Sequence, residues 1–351
     1  IMFREGLLDK PLRSIKKLIP VSVFNFLAPA YHALLAWAGA LLYGFPSRSI
    51  KVIGVTGTKG KSTVVYLITK LLEGAAPTTG GAVAMIGSLG YKIKDKEWPN
   101  TLKMTMPGRF KLQRFLRRAV SAGCKFVVLE VTSEGIKQKR HLGIDFDCAV
   151  LTNIHKEHLE EHGSFENYYQ AKQQLFRRAP GVHVLNADDS YVTLFADFPA
   201  QKKITYGIQR GDLRAGDVHV EADSVAFEVY GTRFAAHLGG RFNVYNCLAA
   251  LATVAMYGVD LPTAKPILEK ISGVKGRMEF VQKEPFAVVV DYAHTPDSLQ
   301  AVYQTLKKAL RQAQGKTQMS RLICVLGAAG GGRDKWKRPE FGKIAAEYCD
   351  A

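Results

Sequence analysis

Val52-Ile53-Gly54-Val55-Thr56-Gly57-Thr58-Lys59-Gly60-Lys61-Ser62-Thr63 decides the fold of this chain. A short apolar, β-branched run ends in a glycine-rich turn, and Lys-Ser-Thr opens the helix-like Val64–Leu72. Such a turn aims backbone N–H groups and a helix N-terminus at phosphate. In that setting Lys61 reaches the terminal phosphates and the Ser62 hydroxyl sits on Mg²⁺. The spacing departs from the common P-loop, whose first glycine would fall at Val55. A tight strand-to-helix turn without a ligand explains the glycines. It does not explain their coincidence with a lysine and two hydroxyls.

The bulk numbers agree. A chain of 351 residues can build two domains and a sizeable core. Its 48 basic and 31 acidic side chains give a formal net charge of +17. That excess suits polyanionic small substrates, nucleic acid or an anionic membrane surface. Zinc-finger spacing, a stacked-aromatic RNA signature and a long basic run are all missing, so nucleic acid is set aside. A diffuse basic surface serving nucleotide substrates is expected. Cys124, Cys148, Cys247, Cys324 and Cys349 are scattered, odd in number and without Cys-x-x-Cys. They support neither a disulfide framework nor a zinc site, and they suit a reducing cytoplasm.

A basic amphipathic stretch, Arg4 to Lys17, precedes Val21–Phe45, which carries no charge. By length the latter is a membrane-span candidate. Pro29 and Gly39 interrupt it, and Asn25 and His32 are polar. A single span would separate the basic N-terminus from the phosphate loop, against the usual charge asymmetry. A helical hairpin is expected instead, docked on the body or peripheral at the inner membrane face. No small-residue cleavage site marks a signal peptide.

From Ile50 onward, strand-like Lys51–Thr56, Phe126–Val131, Cys148–Thr152 and Val182–Leu185 alternate with helical stretches such as Lys111–Ala122 and Phe165–Arg178. This is the pattern of a mostly parallel α/β sheet. Residues 203–238 read as an antiparallel edge and Asn243–Tyr257 as an Ala-rich helix. Near Ser272-Gly273 the pattern restarts with strand Phe286–Val290, helix Ser298–Ala313, strand Leu322–Leu326 and the glycine-rich Gly327–Gly332. Three units are expected: a helical segment over 1–49, a central P-loop domain over 50–272, and a smaller, incomplete Rossmann-like α/β domain over 273–351. The Ile1-Met2 start, and an end straight after a helix-like stretch, read as a fragment.

Glu130 follows the strand Phe126–Leu129. A carboxylate at the carboxyl end of a parallel strand faces the ligand crevice and can hold Mg²⁺ against phosphates. Alone it reads as a solvated strand-end acid. His155, His158 and His162 follow another strand and suggest metal or proton chemistry, although each alone is more often a hydrogen-bonded or solvated residue. Lys172 closes Tyr168-Tyr169-Gln170-Ala171-Lys172 and alone reads as a surface lysine.

Taken together, these stretches resemble the Mur ligase family, in its muramoyl-tripeptide synthetase branch. The resemblance runs from about Lys51 to the chain end. It rests on the loop, Glu130-Val131-Thr132-Ser133, Thr152-Asn153 through His158, Ala171-Lys172, Asn186-Ala187-Asp188-Asp189, Phe242-Asn243-Val244-Tyr245-Asn246 and Gly276-Arg277-Met278-Glu279. Asp291-Tyr292-Ala293-His294-Thr295-Pro296-Asp297 and Arg333-Asp334 with Lys337-Arg338-Pro339 complete the order.

The resemblance implies an ATP-dependent amide-bond ligase of peptidoglycan precursor synthesis. Such an enzyme adds an amino acid to a UDP-N-acetylmuramoyl-peptide through an acyl phosphate, as a cytoplasmic monomer. Gly57, Thr58, Lys59, Gly60, Lys61, Ser62 and Thr63 would bind ATP phosphates. Ser62 and Glu130 would hold one Mg²⁺, and His158 would help hold a second. Lys172 matches a lysine carbamylated by CO₂, which would replace a cation with a carboxylate-like group beside the metals. Asn246 matches the adenine reader, and Arg277 and Asp291 match nucleotide contacts. Thr105, Thr132, Gln138 and Arg140 match contacts to the muramoyl-peptide.

Some positions depart from that branch. Met106 stands where it usually has Thr, and Glu134 where it has His. Residues 1–49 are too short for its UDP-binding domain, and the motif that selects the amino acid would lie beyond Ala351. Two rival readings remain: a folylpolyglutamate or poly-γ-glutamate synthetase on the same scaffold, and a membrane-associated nucleotide-binding protein without ligase turnover.

Overall fold

The computed structural model describes residues 21–102, 104–155, 157, 162–313, 321–327 and 336–351. Arg4–Lys17, His158 and Arg333-Asp334 lie outside them, as does most of Gly327–Gly332. The chain enters through helix α1 (Val21–Leu42), which is continuous through Pro29. This corrects the expected hairpin within 21–45. Gly39 is a packing position rather than a turn. It packs against helix α3 (Arg109–Ser121), where a Cβ placed on it would make ordinary contact, 3.6 Å from Phe110 Cδ1. Among the described residues no helix is long and apolar enough to cross a membrane.

The central sheet holds nine strands in the order β4-β3-β2-β5-β1-β6-β7-β8-β9. They are β1 (Lys51–Thr56), β2 (Ala82–Gly87), β3 (Gly90–Ile93), β4 (Lys96–Trp98), β5 (Cys124–Glu130), β6 (Cys148–Leu151), β7 (Val182–Asn186), β8 (Lys202–Gly207) and β9 (Leu213–Arg214). From β2 to β9 every neighbour pairs in parallel; only β3 and β4 are antiparallel. The alternation of β1 explains the two-sided core. Ile53 and Val55 join a cluster with Val64, Leu67 and Leu248. Those residues come from α2 (Lys61–Gly74) and from α6 (Arg241–Ala255). Val52 faces the other way, among Leu112, Phe115, Leu175 and Phe176, contributed by α3 and by α5 (Phe165–Phe176). Shorter helices in this unit include α4 (Ser133–Lys137) and α7 (Leu261–Glu269).

The antiparallel strands expected over 203–238 are found over 216–236, but 202–214 are corrected to parallel. β8 joins the parallel sheet across the crossover 187–201, β9 adds a two-residue parallel pair to it, and the buried Tyr206 hydroxyl donates to Leu151 O at 2.9 Å. β10 (Gly216–Val220), β11 (Val225–Val229) and β12 (Thr232–Ala236) form a separate three-stranded sheet. The antiparallel edge lies at the opposite end, in β3 and β4.

Beyond residue 273, β13 (Glu279–Gln282) and β14 (Val288–Val290) pair antiparallel. Helices α8 (Pro296–Ala313) and α9 (Lys337–Tyr348) enclose a small core of Met278, Leu299, Val302, Tyr303 and Phe341. Leu322–Leu326 is not a strand. Its backbone meets only the last residues of the chain, through Cys324 N to Ala351 O and Asp350 N to Leu322 O, both 2.8 Å. A disulfide joins Cys324 to Cys349 with Cα atoms 6.0 Å apart. This overturns the expectation of no disulfide, since a pair distant in sequence leaves no spacing signal. Cys124, Cys148 and Cys247 are free and buried.

Candidate active site

The phosphate loop joins β1 to α2 at the carboxyl ends of the parallel strands. Gly57 (φ +143°) has no room for a side chain, because a Cβ would fall 1.9 Å from Thr152 Oγ1. Gly60 (φ +81°) would meet Asn246 Oδ1 at 2.3 Å. The segment after β6 holds the loop. Thr58 N donates to Asn153 O at 2.7 Å, Lys59 N to Asn153 Oδ1 at 2.9 Å, and Thr152 Oγ1 to Lys59 O at 2.6 Å. Lys61 folds its ammonium over the loop, donating to Gly57 O at 3.0 Å and Thr58 O at 2.8 Å. Burial lowers its pKa, against the opposing pull of Glu130 and Glu157. Ser62 and Thr63 are both buried in the first turn of α2.

Glu130 ends β5 beside Val55 of β1 and is 2% exposed. Ser62 Oγ lies 3.1 Å from each of its carboxylate oxygens, and Ser88 N donates to Oε2 at 2.8 Å. A hydroxyl and a carboxylate are hard oxygen donors that suit Mg²⁺. Among the described residues no cluster of three His, Cys, Asp or Glu could hold a metal. A cation here would complete its shell with ligand oxygens and water, as Mg²⁺ commonly does.

Lys172 does not line the cleft. It is 1% exposed, lies behind the loop, and donates to Gly57 O at 2.7 Å. Its ammonium stands 4.5 Å from the Tyr168 ring centroid, and the Tyr168 hydroxyl is 2.9 Å from Thr58 Oγ1. Burial, reinforced by Lys61, holds its pKa well below the usual lysine value.

Residues beyond 273 close the mouth. Arg277 Nη2 donates to Ser62 Oγ at 3.2 Å, and its guanidinium lies 4.6 Å from the Tyr292 ring centroid. Asp291 accepts from Met278 N and Ala293 N, both at 2.7 Å, and burial raises its pKa. Asn246 donates to Asn243 Oδ1 at 2.8 Å and stands under Gly60.

Several bridging contacts, most of them between residues that the motifs already held, escaped the sequence reading. Lys59 donates to Thr295 Oγ1 and lies 3.8 Å from Asp297 Oδ2. Glu157 lies 3.9 Å from both His294 Nε2 and Lys337 Nζ. Ser88 could have been found by its place at the end of a parallel strand. The contacts between the others carry no signal without the third dimension.

The cleft encloses about 1210 Å³, and Thr105, Thr132, Gln138 and Arg140 line its far side. Thr105 Oγ1 is 2.8 Å from Ser88 Oγ. Thr132 caps α4, accepting from Gly135 N at 3.0 Å. Arg140 donates to Gln138 Oε1 at 2.7 Å and to Met106 O. The cleft therefore runs from the phosphate loop past Glu130 to an arginine-bearing end.

Comparison with known proteins agrees with this arrangement. The Mur ligase middle domain matches residues 55–254, and the Mur ligase glutamate ligase domain matches residues 276–351. The UDP-N-acetylmuramyl-tripeptide synthetase of Roseiflexus sp. (strain RS-1) is 36% identical, over 95% of this chain and 67% of its own length. The UDP-N-acetylmuramoyl-L-alanyl-D-glutamate–2,6-diaminopimelate ligase of Bacillus velezensis is 38% identical, over 88% of this chain and 63% of its own. A solved structure of a ligase of that second type superposes with a TM-score of 0.66 at 32% identity, covering 86% of this chain and 60% of its own. The chain thus spans about two thirds of the length of these relatives. A Mycobacterium tuberculosis folylpolyglutamate synthase shares the fold, with a TM-score of 0.64 at 19% identity. On two matching domains that together carry the loop, Glu130, Arg277 and Asp291, the chain belongs to the Mur ligase family.

Proposed function

We propose that this chain carries the catalytic part of an ATP-dependent ligase that adds an amino acid to a UDP-N-acetylmuramoyl-peptide in peptidoglycan precursor synthesis. One observation carries the reading. Lys61, the Ser62–Glu130 pair and Arg277, from both matched domains, converge on one cleft whose other end holds Arg140. Residues 50–272 are the ATP-binding unit and 273–351 the closing unit, with 1–49 a separate N-terminal segment. Use of ATP and a nucleotide-linked peptide supports work in the cytoplasm.

In this reading the loop N–H groups, Lys61 and Arg277 hold the ATP phosphates, and Asn246 and Asp291 hold the rest of the nucleotide. Thr105, Thr132, Gln138 and Arg140 present the acceptor carboxylate in line with the γ-phosphate. That carboxylate attacks, ADP leaves and an acyl phosphate forms. The amino group of the incoming amino acid then attacks the acyl carbon, and phosphate leaves. Mg²⁺, held by Ser62 and Glu130, would supply charge neutralisation between the phosphates. The protein lowers the barrier chiefly by positioning and electrostatics. Burial lowers the Lys61 pKa, and the nearby Glu130 and Glu157 oppose that shift.

The test is phosphate release from ATP with UDP-N-acetylmuramoyl-dipeptide and a panel of amino acids, beside folate and poly-γ-glutamate acceptors. Release that depends on the muramoyl-peptide and one amino acid supports the reading. Release with a folate or polyglutamate acceptor alone assigns the scaffold to another ligase. ATP binding without release under any condition makes it a nucleotide-binding protein.

A further inference from the structure

We infer that the outer face of α1, with the exposed arginines of α3, is a docking surface for an anionic phospholipid bilayer. The two sides of α1 differ sharply. Ala36 and Ala40 are 1% and 0% exposed. Beside them Gly39 meets Phe110 of α3, and a Cβ on Gly143 would lie 2.6 Å from Ala40 Cβ. Small residues thus seat this side closely on the body. The other side is large and apolar: Leu27, Leu34, Trp37, Leu41 and Leu42 are 50%, 69%, 47%, 70% and 69% exposed. Leu27, Leu34 and Leu41 recur at two-turn spacing with Trp37 between them, so they form one stripe along the helix. Five large apolar side chains left in water on one helix mark an interaction surface rather than scattered exposure.

The chemistry beside the stripe selects the occupant. Helix α3 carries Arg109, Lys111, Arg114, Arg117 and Arg118 and no acidic residue. Arg117 clamps the end of α1, donating to Tyr43 O and Gly44 O at 2.8 Å each, while Arg114 and Arg118 are exposed. An apolar stripe with a tryptophan, on a helix packed against one that carries exposed arginines, suits the boundary between acyl chains and anionic headgroups. A second copy would bring the same positive excess, part of a net charge of +17, against itself. Helix α1 lies along the surface of the body, and it is not apolar enough to cross a membrane. The attachment is therefore peripheral, with α1 lying in the interface plane.

Vesicle co-sedimentation of the full chain tests this, with phosphatidylcholine alone and with phosphatidylglycerol added. Binding is expected to the anionic vesicles and to weaken with salt. Leu34→Gln with Leu41→Gln should abolish it while leaving the thermal midpoint unchanged, because both side chains are already in water. Arg114→Gln with Arg118→Gln should weaken binding about fivefold per charge, from roughly 1 kcal/mol each. No binding to anionic vesicles overturns the inference, as does binding that the leucine pair leaves intact. A concentration-dependent dimer, abolished by the leucine pair in a protein that ignores lipid, would assign the face to a second copy instead.

Discussion

Lys172 Nζ donates to the carbonyl of Gly57 at 2.7 Å, from behind the phosphate loop rather than from within the cleft. Burial and the nearby Lys61 lower its pKa well below the ordinary value, which favours the neutral amine. Only a neutral amine attacks CO₂, so this environment prepares the carbamate that the family resemblance implies. Lys172→Ala is expected to lose about 10²–10³-fold in turnover, the scale of one removed electrostatic contact, with partial rescue by added formate or acetate. Turnover should also fall as pH drops, because protonation removes the nucleophile. Phosphate release across pH and bicarbonate checks this, and activity indifferent to Lys172 would rule it out.

Lys61→Ala should remove ATP turnover by at least about 10²-fold and leave the fold intact. The ammonium donates only to loop carbonyls, Gly57 O and Thr58 O, and Gly57 O keeps a second donor in Lys172 Nζ. Removing a buried, pKa-depressed cation does not create a core cavity. Phosphate release and the thermal midpoint measure the two halves. Wild-type turnover in this variant would end the phosphate-loop reading.

Lys59 links the two matched domains through Thr295 Oγ1 and, at 3.8 Å, Asp297 Oδ2. Asp297 is 76% exposed, so the pair is worth about 0.2–1 kcal/mol at most. Asp297→Asn should therefore raise KM for ATP by no more than about fivefold, with kcat little changed and the effect fading in high salt. A large fall in kcat with KM unchanged would place Asp297 in the chemistry rather than in closure.

The stretch Val52–Thr63 made the parallel sheet legible, because β-branched strands, a glycine turn and a lysine-led helix constrain one another locally. Glu130 was legible for the same reason: the end of a parallel strand is a place that sequence can name. Local pattern failed where partners are distant. Lys202–Gly207 looks like any short strand, and only its pairing with β7, from Val182 beside Lys202 to Asn186 beside Tyr206, makes it parallel. Gly39 reads as a helix breaker until Phe110 is set against it. The Lys59–Thr295 bridge and the Cys324–Cys349 bond join residues whose spacing carries no period. The place of Lys172 behind the loop, not in the cleft, was likewise invisible without the fold.

The acid stability of the fold should depend on His141, and the sign follows from its surroundings. His141 is 2% exposed, and burial, helped by Arg178 and Lys139, pushes its pKa down to about 3. In the unfolded chain a histidine titrates near 6.5. Between these values the unfolded state binds a proton that the folded state refuses, so stability falls with pH. The contribution is complete above about 6.5 and is lost progressively toward about 3. Between pH 6.5 and 5 the loss is at most about 2 kcal/mol. His183 shares the direction, also through burial, although its hydrogen bonds to Ala179 O and Phe176 O oppose the shift. Thermal midpoints of the wild type and His141→Gln at pH 7.5, 6 and 5 make the comparison. The variant starts lower, because a polar amide replaces a packed ring, but its curve should be flatter. Parallel curves would show that His141 does not govern the acid limb.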